Sequence, residues 1–318
     1  MTGRIVINAD EWTLGNAGFQ RAADTGRFVA NVANWFTDGE KGTFHGYSNN
    51  FGVRGSSLKN AMAEAGHTWT TGLGIRFTLD ELKKYDGIFL MGNAANNQVM
   101  IDYVKAGGCV YLAGGTGAGG ARAEARRWKT FLNAFGFKFG ESYNRVGGNI
   151  APKSDHPIFA GVKSLYSNNG NSITDIDPDA PENAILVNHA RGGLFAVYDL
   201  SLAEPNVVIS GINYDGAVKR TESDEYVEIT NDGSAHTDIS GWRIHADDKG
   251  QDFVFPDGTI IQSGQSFRVY TNEVHPESGG FSFGIGRAIW NNKGDTALLC
   301  DENGAESATL GYGEKAAQ

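Results

Sequence analysis

The chain has 318 residues, of which 40% are hydrophobic and 20% charged, and a formal net charge of −10. That length suggests two domains, and the composition is ordinary for a globular protein. No apolar stretch approaches the roughly 20 residues that cross a bilayer as a helix, so no membrane span is expected.

The charge is unevenly spread. From Thr221 onward there are 17 acidic and 6 basic residues, a net of −11, against 20 acidic and 21 basic before it. So acidic a C-terminal part repels a phosphate backbone, and no nucleic-acid partner is expected. Arg122, Arg126, Arg127 and Lys129, the densest basic cluster, fall at the spacings of a solvated helix face. Cys109 and Cys300 lie in different expected domains and read as small buried hydrophobes, neither a disulfide framework nor a zinc site. The opening MTGRIVINADEW carries no leader pattern. With Met1 as the natural start the expected compartment is the cytoplasm; with a leader removed it is the exterior or cell surface.

Along the chain, strand and helix signals alternate up to about residue 215. Ile5–Asn8 reads as a central strand, and Phe28, Val29, Val32, Trp35 and Phe36 fall at helical spacing within Thr25–Phe36. Phe44–Ser48 is a second strand. Ser56-Ser57-Leu58 opens a helix to Ala65, with serine as N-cap and Gly66 as stop. His67–Thr71, Asp86–Met91 and Cys109–Ala113 follow as strands, with helices over Gln98–Lys105 and from about Arg122 to Phe135. Ala184–Val187, Leu194–Tyr198 and Val207–Ser210 are expected to extend the same sheet. The alternation predicts an α/β domain over 1–215 with a mostly parallel sheet. A linker at 216–222, a β-sandwich over 223–313 and a tail at 314–318 complete the expected organisation.

Ligands in such folds sit at the carboxyl ends of the strands. Those ends read NADEW, YSNN, MGNAANNQ and GGTGAGG, which predicts a cleft lined by Asp10, Glu11, Trp12, Asn49, Asn93, Gly115, Thr116 and Gly117. Asp10 and Glu11 with His45 would supply acid–base chemistry there. Gly115, Gly117 and Gly120 match G-x-G-x-x-G, but on a late strand and with no ribose-binding acid to follow. A tight turn with some anion affinity is the better reading, and no cofactor is expected. Asp175, Asp177 and Asp179 form alternating carboxylates that suit calcium, or else a solvated acidic turn broken by Pro178.

The segments YDGIFLMGN, IDYVKAGGCVYLAGGTG, WKTFLNAFGFKF and DHPIFAGVKSLY resemble the class I glutamine-amidotransferase-like superfamily. More narrowly, they resemble its uncharacterised bacterial members with a DEWTL-type opening. The resemblance implies a flavodoxin-like sheet with a nucleophile elbow directly after CVYLA. Here the chain departs from active relatives. Gly114, Gly115 and Thr116 occupy the elbow, and Cys109 stands at the start of the strand. No His–Glu pair follows at the expected spacing, and His189 reads as an exposed loop residue. Cysteine-dependent amidotransfer is therefore not expected, and Thr116 as a replacement nucleophile would need an adjacent base.

Beyond Asp215-Gly216 short strands alternate with polar turns: Tyr226–Thr230, Trp242–His245, Asp252–Phe255, Ser266–Tyr270, Ala297–Cys300 and Ser307–Leu310. This spacing predicts an all-β immunoglobulin-like sandwich. EYVEITN, DISGWRI, FVFPDGTIIQSGQSFRVYTN and IWNNKGDTALLCDENG resemble the lamin tail domain. That resemblance implies Trp242 in the core, a corner at Phe255-Pro256 and a hairpin entered through Asn292 to Ala297. It also implies an interaction module, for a protein, surface or glycan partner. The expected function is thus a non-catalytic two-domain binding or scaffold protein. The alternatives are a hydrolase using Asp10, Glu11 and Thr116, and a calcium-stabilised extracellular adhesion or matrix protein.

Overall fold

Ile5, Val6 and Ile7 have no accessible surface, because their strand lies between two others and under both faces of a sheet. In the computed structural model, which describes residues 3–115, 119–246 and 250–316, the chain divides into two units, Met1–Leu202 and Ala203–Gln318. The described elements of the first unit begin with β1 (Arg4–Asn8), α1 (Asn16–Arg21), α2 (Thr25–Phe36), β2 (Thr43–Gly46), α3 (Phe51–Arg54), α4 (Ser56–Glu64) and β3 (Thr68–Thr71). Next come α5 (Leu79–Leu82), β4 (Gly87–Met91), α6 (Asn97–Lys105), β5 (Cys109–Ala113), α7 (Gly120–Arg127) and α8 (Lys129–Asn133). The unit closes with β6 (Phe137–Phe139), β7 (Gly147–Ile150), β8 (Leu165–Asn168), β9 (Ile173–Asp175), β10 (Asn183–His189) and β11 (Gly192–Asp199).

The main sheet runs β3-β2-β4-β5-β1-β11-β9-β6, with β10 paired to β11. The five strands β3, β2, β4, β5 and β1 are parallel. From β11 on the pairing is antiparallel. The sheet is therefore mixed rather than mostly parallel. One reason is local: Ala190 and Arg191 alone connect β10 to β11, and so short a link can join only antiparallel neighbours. The parallel part also departs from the flavodoxin order 2-1-3-4-5. Here the first strand lies beyond β5, at the far end of the parallel run. Every residue of β1, β4 and β5 is buried, so both faces of the centre are covered.

Two expected helices differ in detail. Ser56 is the first residue of α4 and not its cap; Gly55 precedes it, and the Asn16 carboxamide oxygen accepts the Ser57 N–H at 3.2 Å. The helix expected from Arg122 to Phe135 is broken at Trp128. The cause is Asn97, whose Nδ2 donates to the Arg127 carbonyl at 3.2 Å and whose Oδ1 accepts the Phe131 N–H at 2.9 Å. Those two backbone groups would bond each other in a continuous helix, and an inserted side chain is a recognised cause of a kink.

In the second unit, β12 (Val207–Asn213) pairs with β13 (Tyr226–Asn231), so Val207–Ser210 does not extend the first sheet and the expected boundary near 215 falls too late. The segment expected as a linker is a loop between paired strands. Asp224 organises it by accepting the Ala217 and Val218 N–H groups at 2.7 and 3.0 Å. The further strands are β14 (Thr237–Asp238), β15 (Arg243–His245), β16 (Asp252–Val254), β17 (Ile260–Ile261), β18 (Ser266–Tyr270), β19 (Phe281–Ser282), β20 (Thr296–Cys300) and β21 (Glu306–Gly311). They form sheets β12-β13-β18-β19 and β16-β15-β20-β21, with a small β14-β17 pair.

Alternation in β13 turns Val227 and Ile229 inward, into a core with Ile244, Val269, Phe255 and Leu299. Trp290 is the fully buried indole of this core; Trp242, expected there, is only partly buried against it. Glu225 is sealed in the same unit. Its Oε2 accepts from Thr271 Oγ1 at 3.1 Å and from the Ile289 N–H at 3.0 Å, while Oε1 has no hydrogen-bond partner among the described residues. Burial pushes this carboxyl from an ordinary 4.5 up to about 7.

Two outcomes follow for stability. Replacing Asn97 by Ala leaves the Arg127 carbonyl and Phe131 N–H to realign or stay unpaired, and urea unfolding should show the first unit weakened by about 1–2 kcal/mol. A carboxyl raised in the folded state contributes stability below its unfolded value that is lost as pH rises through the folded one. The second unit should thus melt higher at pH 5.5 than at pH 8.5, and Glu225→Gln should shrink that difference in a calorimetric scan.

Candidate functional site at the strand carboxyl ends

The five parallel strands deliver their carboxyl ends to one edge. After β1 the chain turns at once: Asn8 Oδ1 accepts the Asp10 N–H at 3.0 Å, and Asn8 Nδ2 donates to the Tyr111 hydroxyl at 2.8 Å. Asp10 is only 1% exposed. Its Oδ1 accepts the Trp12 N–H at 2.8 Å; its Oδ2 accepts the Asn168 N–H at 2.5 Å and Ser167 Oγ at 3.1 Å. Burial pushes this carboxyl up, against those three hydrogen bonds, and neighbouring Glu11 adds to the rise. Asp10 thus ties the exit of β1 to the end of β8 and is closed to a substrate.

His45 does not join it. On β2 its Nδ1 meets Thr70 Oγ1 at 2.7 Å and its Nε2 meets the Gly72 carbonyl at 2.9 Å. A carbonyl can only accept, so Nε2 carries the proton and Nδ1 accepts from the threonine. Burial also pulls its pKa below the ordinary imidazole value. The expected acid–base set of Asp10, Glu11 and His45 is therefore not assembled, since two of its members are engaged elsewhere.

Glu11, Trp12, Asn49 and Asn93 do fall along one edge. Strand connections diverge between β2 and β4: β2 leads outward to β3, β4 inward to β5, which makes this the crevice of the parallel run. Glu11 reaches the loop after β2, where Asn50 Nδ2 donates to its Oε2 at 2.5 Å. Asn50 Oδ1 in turn caps α3 through the Gly52 N–H at 2.8 Å. Asn93 Oδ1 accepts the Asn49 N–H at 2.7 Å and Ser48 Oγ at 3.0 Å. Trp12 packs on Phe51 with ring centroids 4.7 Å apart, and its indole N–H is buried without a partner among the described residues. The crevice is thus stitched by side chains that bridge the loops after β1, β2 and β4.

At the elbow after β5 stand Gly114 and Gly115; Thr116 and Gly117 lie outside the described residues. Gly115 has φ +136°, and a Cβ there would lie 3.2 Å from Glu11 Cγ, so only glycine suits both backbone and space. Its N–H donates to Asn171 Oδ1 at 2.7 Å. Asn171, fully buried, also donates from Nδ2 to the Ala121 and Gly140 carbonyls, each at 2.8 Å. It holds the elbow and the entry of α7 together. Sequence reasoning passed over it; the signal available was the polar run SNNGNS at 167–172, which ends one strand and leads into the next.

Cys109 starts β5, at the opposite end of the strand from the elbow, and burial pushes its thiol up to about 12. Such a thiol does not ionise near neutrality and is no nucleophile. His189 ends β10 and is exposed. Asp175 Oδ1 accepts the Asp177 N–H at 3.0 Å in a tight turn. Among the described residues no group of three or more His, Cys, Asp or Glu is placed to hold a metal, so Asp175, Asp177 and Asp179 do not converge as a calcium site would require.

The Lamin Tail Domain family model matches residues 201–314. The second unit therefore carries a lamin tail domain, and the immunoglobulin-like all-β expectation holds for it. The match begins at residue 201, and no family model matches the expected amidotransferase-like part before it. A comparison with curated proteins finds no match to the chain.

Asn171→Ala would leave the Gly115 N–H and two carbonyls without their buried partner. The expected cost is about 2–4 kcal/mol in urea unfolding of the first unit. Asp10→Asn, which turns an acceptor into a donor facing the Asn168 N–H, should cost about 1–3 kcal/mol by the same measure.

Proposed function

We propose that the chain is a non-catalytic two-domain binding protein. In this reading the lamin tail unit is the interaction module, and the first unit is a degenerate amidotransferase-like domain whose strand-end polar residues brace loops. The observation that carries the reading is the elbow: glycines follow β5, and the cysteine of that strand lies sealed at its far end. The bracing role of Asp10 supports it as well, since a hydrolase of the alternative kind would need that acid open to substrate.

The second unit offers a place for a partner. Among the described residues β16 pairs only with β15, which leaves its outer edge open to another strand. Val254 on that strand is 46% exposed. A protein or surface partner fits an open strand edge that presents an apolar side chain. The net charge of −11 from Thr221 onward argues against nucleic acid.

The test has two arms on the full chain. A panel of amide, ester and glycoside substrates should show no turnover; turnover that Glu11→Gln abolishes while the fold persists would overturn the reading. A photoreactive residue at position 252, exposed on the same strand, should crosslink a protein or surface component of the source cell, and adding Val254→Lys should abolish that crosslink.

A further inference from the structure

Beyond that reading, which puts partner contacts in the second unit, the first unit carries a basic cavity of its own. About 450 Å3 in volume, it is lined by Arg122, Arg145 and Arg191 together with Gly120, Glu141 and Tyr143. That size falls in the range of small-molecule sites, about 300–1,000 Å3. The three arginines come from separate parts of the chain: the first turn of α7, the loop after β6, and the β10–β11 turn. Their convergence is thus a product of the fold and not of a charge run.

Only one of the three is neutralised. Arg122 Nε lies 3.2 Å from Glu141 Oε2, both well exposed, while Arg145 and Arg191 have no ion pair among the described residues. Arg145 is held in place by its backbone, at φ +61°, with its N–H donated to Asn169 Oδ1 at 2.9 Å. Arg145 and Arg191 are exposed, so water screens their mutual repulsion and leaves their donors open to an anion. Guanidinium groups present forked donors that match phosphate oxygens, and several can share one phosphate.

The start of α7 adds to this. Its N-cap is Gly119, which has no side chain to cap it, and no acid stands in its first turn. Tyr143 stands against the same turn: a Cβ on Gly120 would lie 2.6 Å from its hydroxyl. Among the described residues, the lining therefore combines a helix start and a tyrosine hydroxyl with guanidiniums.

We propose that this cavity binds the phosphate group of a small phosphate ester, with Arg145 and Arg191 as its principal contacts and Arg122 exchanging Glu141 for the ligand. A single carboxylate would be satisfied by one arginine fork, whereas three forks with amide donors suit a doubly charged phosphate. The volume left beyond a bare phosphate accommodates a compact organic body.

Titration calorimetry of the full chain with pyrophosphate, and with citrate as the carboxylate comparison, tests this. Pyrophosphate should bind saturably, and citrate at least about tenfold more weakly. Arg145→Gln and Arg191→Gln, made singly, should each weaken pyrophosphate about tenfold or more, which is the loss expected for a charge-assisted hydrogen bond. A second cavity, of about 460 Å3 and lined by Arg54 and Lys59, serves as control. Arg54→Gln with Lys59→Gln should leave the affinity unchanged. An unaltered thermal transition in each variant establishes folding, and Arg191→Gln stands alone if the left-handed position 145 proves intolerant. The proposal is overturned if pyrophosphate shows no saturable binding, if citrate binds as tightly, or if the control pair weakens binding as much as the arginine changes.

Discussion

β1 is hydrogen-bonded along both edges, in parallel register to β5 and antiparallel to β11, while its apolar side chains are shut away from water. A strand held in this way releases its chain into the protein interior, and every polar group of the exit must find a partner there. Asn8, Asp10 and Glu11 are those partners. They reach in different directions, to β5, to the β8 loop and to the loop after β2, and so fix the strand-end edge as one stitched surface. The sequence NADEW thus looks like chemistry but is used as joinery. The same demand accounts for Asn171, which receives the Gly115 N–H and ties it to α7.

A contrast within the first unit follows from this satisfaction of polar groups. At the crevice between β2 and β4, donors and acceptors are matched by neighbouring side chains, with the Trp12 indole as the described exception. At the mouth of α7, by comparison, two arginines make no ion pair among the described residues, and the glycine N-cap offers no side chain. Polar groups that are matched hold a structure together; those left open to solvent at the rim of a cavity are available to a ligand.

The second unit obeys a different economy of charge. Its acidic residues mostly lie at the surface, where mutual repulsion is screened by water and salt. Glu225 and Asp295 are buried; Asp295 has backbone N–H partners for both oxygens, whereas one Glu225 oxygen has no partner among the described residues. The neutral form of Glu225 suits that environment better than its ionised form, which couples the sandwich to pH near neutrality.

Much of the architecture was legible from local pattern. Period-3.6 spacing marked α2 to its observed ends, and the apolar runs GIFLM and CVYLA marked β4 and β5, because side-chain periodicity reports directly which faces are buried. The aromatic and turn order of the last hundred or so residues likewise identified the lamin tail domain. What periodicity cannot report is the partner of a strand. Val207–Ser210 has the pattern of a buried strand and would fit either unit; pairing with Tyr226–Asn231 assigned it to the second. The break at Trp128 came from Asn97, 31 positions earlier in the chain. The role of Asp10 depended on Asn168, and the gathering of Arg122, Arg145 and Arg191 on three separate segments. The sequence by itself determined the elements and the faces they bury, through the short-range spacing of apolar side chains. Only the tertiary structure decided which strands pair, which polar side chains brace and which remain open, because those depend on backbone groups brought together from far along the chain.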